Sequence, residues 1–115
     1  MRRLLLVACF ALSAFAADIT GKWNASVELD AGSGSPVFVL KQDGNKITGT
    51  YSGALGEATV AGTVEGSRIE FYFDVDAGGD KVTAVYAGTL ESEKKMKGTV
   101  KIGSLGSGTF TAVKE

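Results

Sequence analysis

The sequence predicts an all-β protein, a single antiparallel up-and-down meander of about eight strands that closes into a barrel. Three observations predict it. Apolar and polar residues alternate with a period of two along almost the whole chain after the first seventeen residues, the mark of strands with one buried face. Turn-forming triplets such as Asp43-Gly44-Asn45 and Glu65-Gly66-Ser67 separate the alternating runs and suit tight hairpins. A five-residue phrase, apolar-x-Gly-Thr-apolar, recurs at Ile47 to Tyr51, Val60 to Val64, Tyr86 to Leu90 and Met96 to Val100, each time with its glycine in the inward phase.

The strands follow in order. The first points Ile19, Gly21, Trp23, Ala25, Val27 and Leu29 one way and Thr20, Lys22, Asn24, Ser26 and Glu28 the other. After a loop from Asp30 to Ser35, the second turns Phe38 and Leu40 inward, and the third Ile47, Gly49 and Tyr51. The fourth contributes Ala58, Val60, Gly62 and Val64, and the fifth Ile69, Phe71, Phe73 and Val75. Beyond the turn at Asp76 to Asp80, the sixth brings in Val82, Ala84, Tyr86, Gly88 and Leu90, the seventh Met96, Gly98, Val100 and Ile102, and the eighth Gly108, Phe110 and Ala112. An inward glycine fills no core space and costs roughly 0.5 to 1 kcal/mol relative to alanine. Six of them are explained by a strongly coiled, closed sheet in which backbones approach closely, and not by a flat sandwich.

Residues 1–16 read as an export signal. Arg2 and Arg3 precede an apolar run from Leu4 to Phe15, which ends in the small-x-small sequence Ala14-Phe15-Ala16. The run has about a dozen residues, short of the roughly 20 needed to span a bilayer, so no transmembrane segment is expected. Cys9 follows Leu6-Val7-Ala8 as in a lipoprotein processing box, but too few apolar residues precede it for that reading. Cleavage near Ala16 would leave a barrel domain of residues 17–115, exported to the periplasm or the medium.

Cleavage there also removes the chain's one cysteine, and the sequence has no histidine. The commonest general base, the commonest transition-metal ligand and any thiolate chemistry are thereby missing from the mature protein. No cofactor and no enzymatic activity are expected. Without Arg2 and Arg3, ten basic residues face thirteen acidic ones, a net charge of −3 that argues against nucleic acid as a partner.

Ile19-Thr20-Gly21-Lys22-Trp23 at the head of an eight-strand meander resembles the opening of the calycins, the lipocalins and avidins, whose first strand carries Gly-x-Trp. Ile47-Thr48-Gly49-Thr50-Tyr51 and Thr109-Phe110-Thr111-Ala112-Val113-Lys114 are similar to avidin strands in the right order. The resemblance implies a calycin-like barrel. It does not carry biotin binding, because the asparagine expected two residues after the tryptophan is Ala25, the serine expected two after Tyr51 is Gly53, and Trp23 is the single tryptophan. Leu40 to Gly49 also resembles a phrase of small secreted bacterial β-proteins, which brings no activity with it.

Trp23, Tyr51, Phe71, Phe73 and Tyr86 share the inward face and are the candidate ligand-binding residues. An eight-stranded barrel interior is just large enough to be filled by side chains or to hold one small ligand. One reading is an apolar cavity with the two tyrosine hydroxyls as orienting groups. The other is a dry core with Trp23 plugging one end, favoured by the small apolar supply of a 99-residue domain without cross-links. Asp74 to Asp80 spaces carboxylates like a calcium loop but has Gly78 and Val85 where oxygen ligands belong, so it reads as a solvated hairpin. The predicted function is a binding module for a small apolar ligand. The alternative is a solid protein that meets a protein partner, as an inhibitor would, through its rim segments Asp30 to Ser35, Ser52 to Glu57 and Asp76 to Asp80.

Overall fold

The structure is a computed structural model that describes residues 18–30, 32–77, 79–103 and 106–115. The expected signal and its cleavage site lie outside the described residues. The strands are β1 (Gly21–Leu29), β2 (Gly32–Gly34), β3 (Val37–Asp43), β4 (Lys46–Gly53), β5 (Gly56–Glu65), β6 (Arg68–Ala77), β7 (Asp80–Ser92), β8 (Lys95–Ile102) and β9 (Gly106–Lys114). All neighbours are antiparallel, and β1 closes the sheet onto β9 from Trp23↔Lys114 to Leu29↔Gly108.

The expected meander is therefore present, with one addition inside the loop expected between its first two strands. Gly32–Gly34 pairs with Val27 to Leu29, while Val37 to Leu40 pairs with Gly21 to Asn24. Together β2 and β3 fill one place in an eight-stranded barrel, broken at Ser35-Pro36. Proline has no N–H to give a ladder, but its carbonyl still accepts from Ala25 N at 3.0 Å. A Gly-Ser-Gly strand has no alternation and low β propensity, which is why the sequence hides it.

The hairpins turn where their glycines permit. Gly44 and Gly66 adopt φ of 65° and 60°, conformations that side-chain-bearing residues seldom take. The glycines inside the strands answer a different need. A Cβ on Gly98 would stand 2.1 Å from the carbonyl oxygen of Ala87 and 2.4 Å from Gly88 Cα, and one on Gly62 would stand 2.2 Å from the carbonyl oxygen of Glu70. These contacts are with backbone, so the tight coiling of the small barrel depends on absent side chains.

One continuous core fills the body. Phe38, Tyr51, Phe71, Phe73, Tyr86 and Phe110 form its centre, all nearly inaccessible to solvent. Tyr51 stacks on Phe73 at 4.2 Å and Phe71 on Tyr86 at 5.1 Å, while Phe38 meets Phe71 and Tyr86 edge-on at 5.0 and 5.2 Å. Offset stacks and edge contacts of this kind add about 0.5 to 1.5 kcal/mol each beyond the area they bury. The outward phase carries Lys22, Glu28, Lys41, Glu57, Glu70 and Lys97. Apolar-in and charged-out is the reverse of the pattern of a membrane-spanning barrel. Among the described residues no helix is long and apolar enough to cross a membrane.

Candidate functional site

The two ends of the barrel differ. At one end Trp23 is fully buried and its Nε1 donates to the carbonyl of Ile19 at 2.9 Å. Lys114 lies over the same corner, its Nζ donating to the carbonyl of Asp18 at 3.0 Å. Its stem crosses Gly21, where a Cβ would stand 2.7 Å from Lys114 Cε. The spacing of Gly21 and Trp23 thus has a local cause: glycine admits the lysine stem, and tryptophan closes the base. Glu115 ties the termini outside, accepting from Asn24 Nδ2 at 2.9 Å, and Asn24 and Lys22 together hold its carboxyl below the usual carboxylate range.

Among the described residues the other end is open. The β1–β2, β4–β5, β6–β7 and β8–β9 connections all fall at this end of the meander, so the described residues of the three rim segments named from the sequence share it. Beneath them lies a cavity of about 240 Å³ whose walls include Val27, Leu29, Pro36, Leu55 and Ile102, with Tyr51 and Tyr86 among its lining residues. Among the described residues none that lines it is charged. Leu29 and Leu55 are only partly buried, so the apolar wall faces solvent through the opening.

Tyr51 and Tyr86 bring the buried polar groups, and Ser33 and Ser35 are the other hydroxyl residues of the lining. Tyr51 Oη accepts a long hydrogen bond of 3.4 Å from Leu55 N in the tip of the β4–β5 hairpin, and its own proton stays available to donate. Burial pushes the Tyr51 hydroxyl up from its ordinary pKa. It pushes Tyr86 up further, with a smaller contribution from Tyr51. Tyr86 is 2 % exposed, and among the described residues its hydroxyl makes no hydrogen bond.

Of the five residues named from the sequence, Tyr51 and Tyr86 line this cavity. Phe71 and Phe73 stand behind them, stacked on Tyr86 and Tyr51, and fix the tilt of the phenol rings. Trp23 is not part of the lining and takes no place among the aromatic pairs of the described residues. Both readings of the interior thus apply to different depths, a filled body and a hollow mouth. Ala54 and Leu55 were missed because they fall in an expected rim loop, and Pro36 because it falls between the expected loop and the second strand. An apolar Leu55 in a two-residue hairpin tip, where polar residues usually sit, was the signal that could have found them.

The wall also parts beside the mouth. The β5–β6 ladder stops at Ala61↔Tyr72, although both strands run on, β5 back to Gly56 and β6 forward to Ala77. By the alternation of an antiparallel pair, the backbone groups of Glu57 and Thr59 face those of Asp74 and Asp76 across this seam without ladder partners. Phe73 and Val75, both buried, back it from inside. Asp74 accepts from Thr83 Oγ1 at 2.6 Å, within the hairpin expected in place of a calcium loop. A larger depression of about 890 Å³ lies outside the wall, among Thr63, Glu65, Arg68, Glu70 and Thr89, where charged groups face solvent.

No protein-family model matches the chain and no curated protein matches it. Among solved structures the chain is similar to a redesigned beta barrel, with 14 % identity and a TM-score of 0.63 over 84 % of this chain and 90 % of that one. It is also similar to the redesigned beta barrel mFAP1, solved bound to DFHBI, with 14 % identity and a TM-score of 0.60 over 84 % of this chain and 94 % of that one. At this identity the likeness shows the fold alone.

Proposed function

We propose that the protein is a non-enzymatic, calycin-like binding module, exported after signal cleavage near Ala16, that takes one small, neutral, mostly apolar molecule into the mouth of its barrel. The observation that carries this reading is the uncharged cavity between Leu29, Leu55 and Ile102, in a barrel whose remaining interior is filled. A single domain with little apolar material to spare leaves this wall wet, which favours any ligand that covers it. Ligand sites elsewhere follow the same plan of apolar walls with a few placed polar groups, although most are larger than this one. The mFAP1 barrel was solved bound to a small molecule, DFHBI, a precedent for a ligand within this architecture.

The filled body favours a second reading, in which the rim segments Asp30 to Ser35, Ser52 to Glu57 and Asp76 to Asp80 grip a protein. Native mass spectrometry of the protein purified from its own host separates the two. One small molecule retained per chain, and lost from Leu55→Arg, supports the binding module. A clean mass without it turns the function to the rim.

A further inference from the structure

Among the described residues the Tyr86 hydroxyl is a buried polar group without a hydrogen-bond partner. The surrounding stack of Phe71, Phe38 and Phe110 fixes the ring, and residue 86 offers solvent 2 % of its surface. A buried O–H without a partner is costly, and such groups in folded proteins are seldom left so. Phenylalanine would fill the same volume without that cost. Tyr51 lines the same cavity as Tyr86, and its Oη already accepts from Leu55 N with its proton left to donate. Two phenol O–H donors therefore border one cavity, with Ser33 and Ser35 in the rim segment.

We propose that the ligand carries a neutral acceptor oxygen, a ketone, ester or amide carbonyl, at its leading end, and that Tyr86 and Tyr51 both donate to it. This rests on the reading of the mouth as a ligand site and narrows the class. A carboxylate or phosphate is disfavoured, because among the described residues no cation lines the cavity to compensate a buried charge. A pure hydrocarbon would fill the walls and leave both donors unpaired. The cavity volume of about 240 Å³ is on the order of eight water volumes, which suits a ligand of about ten heavy atoms.

Two probes of one shape test the proposal. Acetophenone presents C=O where α-methylstyrene presents C=CH₂. Calorimetric titration of the protein with each should show acetophenone bound about tenfold more tightly, the factor that one or two net hydrogen bonds supply. Tyr86→Phe should remove that preference while α-methylstyrene binds within twofold of before, and Tyr51→Phe should reduce the preference in part. The infrared carbonyl band of bound acetophenone should lie at lower frequency than in hydrocarbon solvent, and move back in Tyr86→Phe. The substitution only deletes an unpaired hydroxyl, and an unchanged circular dichroism spectrum confirms the fold of each variant.

Equal affinity for the two probes would overturn the acceptor assignment and leave the mouth as a ligand site. A preference that survives in both Tyr86→Phe and Tyr51→Phe would overturn the role of the tyrosines. Binding of neither probe would overturn the proposal, and the mouth reading as well if native mass spectrometry also finds no retained molecule.

Discussion

Tyr51 Oη stands directly over Gly53: a Cβ at residue 53 would come within 2.6 Å of the hydroxyl and 3.0 Å of Cζ. The glycine at the end of β4 is thus what allows the phenol to reach Leu55 N and border the mouth. Gly53→Ala should push the ring aside and weaken acetophenone binding several-fold, with a stability loss of about 1 kcal/mol or less because the ring has the open mouth to move into. Titration calorimetry and urea denaturation of the variant measure the two effects separately.

Gly98 has no such freedom, since its Cβ would meet the backbone of β7. Gly98→Ala should cost about 1 to 3 kcal/mol or more, the scale of overpacking a rigid site. Gly34 has nothing within 4 Å of a built Cβ, so Gly34→Ala should be neutral or slightly stabilising. Urea midpoints of the two variants, compared with the parent, decide between backbone crowding and mere glycine content.

Much of the fold was legible because period-2 alternation is a direct consequence of a barrel with one buried face. Trp23, Phe38, Tyr51, Phe71, Tyr86 and Phe110 all fall inward as the alternation requires. The depth of each residue along the barrel was not legible, because alternation gives the face and not the stagger between strands. Hence Trp23 and Tyr51 read as neighbours in one site, although one seals the base and the other lines the mouth. Pro36 and Leu55 became visible only once the hairpin tips were placed together.

The position of Trp23 gives a prediction of its own. With Nε1 bonded to the Ile19 carbonyl and the indole fully buried, its emission should be blue-shifted and should keep its wavelength when a ligand fills the mouth. Trp23→Phe should leave that carbonyl without its donor and open a void, a loss of about 2 to 4 kcal/mol. Emission spectra across a ligand titration and the denaturation midpoint of the variant check both statements.

Tyrosine ionisation should set the alkaline limit of stability. The folded pKa of Tyr86 is raised above its ordinary value of 10.0, so the unfolded chain releases its proton first. Stability should be level below pH 10 and should fall above it by about 1.4 kcal/mol per pH unit for this one group. Tyr86→Phe should make that alkaline limb shallower and leave the contribution of Tyr51, as read from urea midpoints measured between pH 8 and 11.

The β5–β6 seam should be the first part of the wall to open. The amides of Glu57, Thr59, Asp74 and Asp76 lack ladder partners and should exchange with solvent far faster than those of Thr63 and Glu70, which the ladder pairs. Amide hydrogen exchange by NMR reads each position, and equal protection on both sides of Ala61 would mean that the seam is closed in solution.

Methyl NMR during titration with acetophenone locates the ligand site. Saturable shifts should appear at Val27, Leu29, Leu55 and Ile102, which wall the cavity, and none at Ile47, Val64 and Met96 in the filled remainder of the barrel. Unmoved mouth methyls at the limit of acetophenone solubility, or shifts centred on Ile69 and Ala87 beside the outer depression, would contradict a site in the mouth.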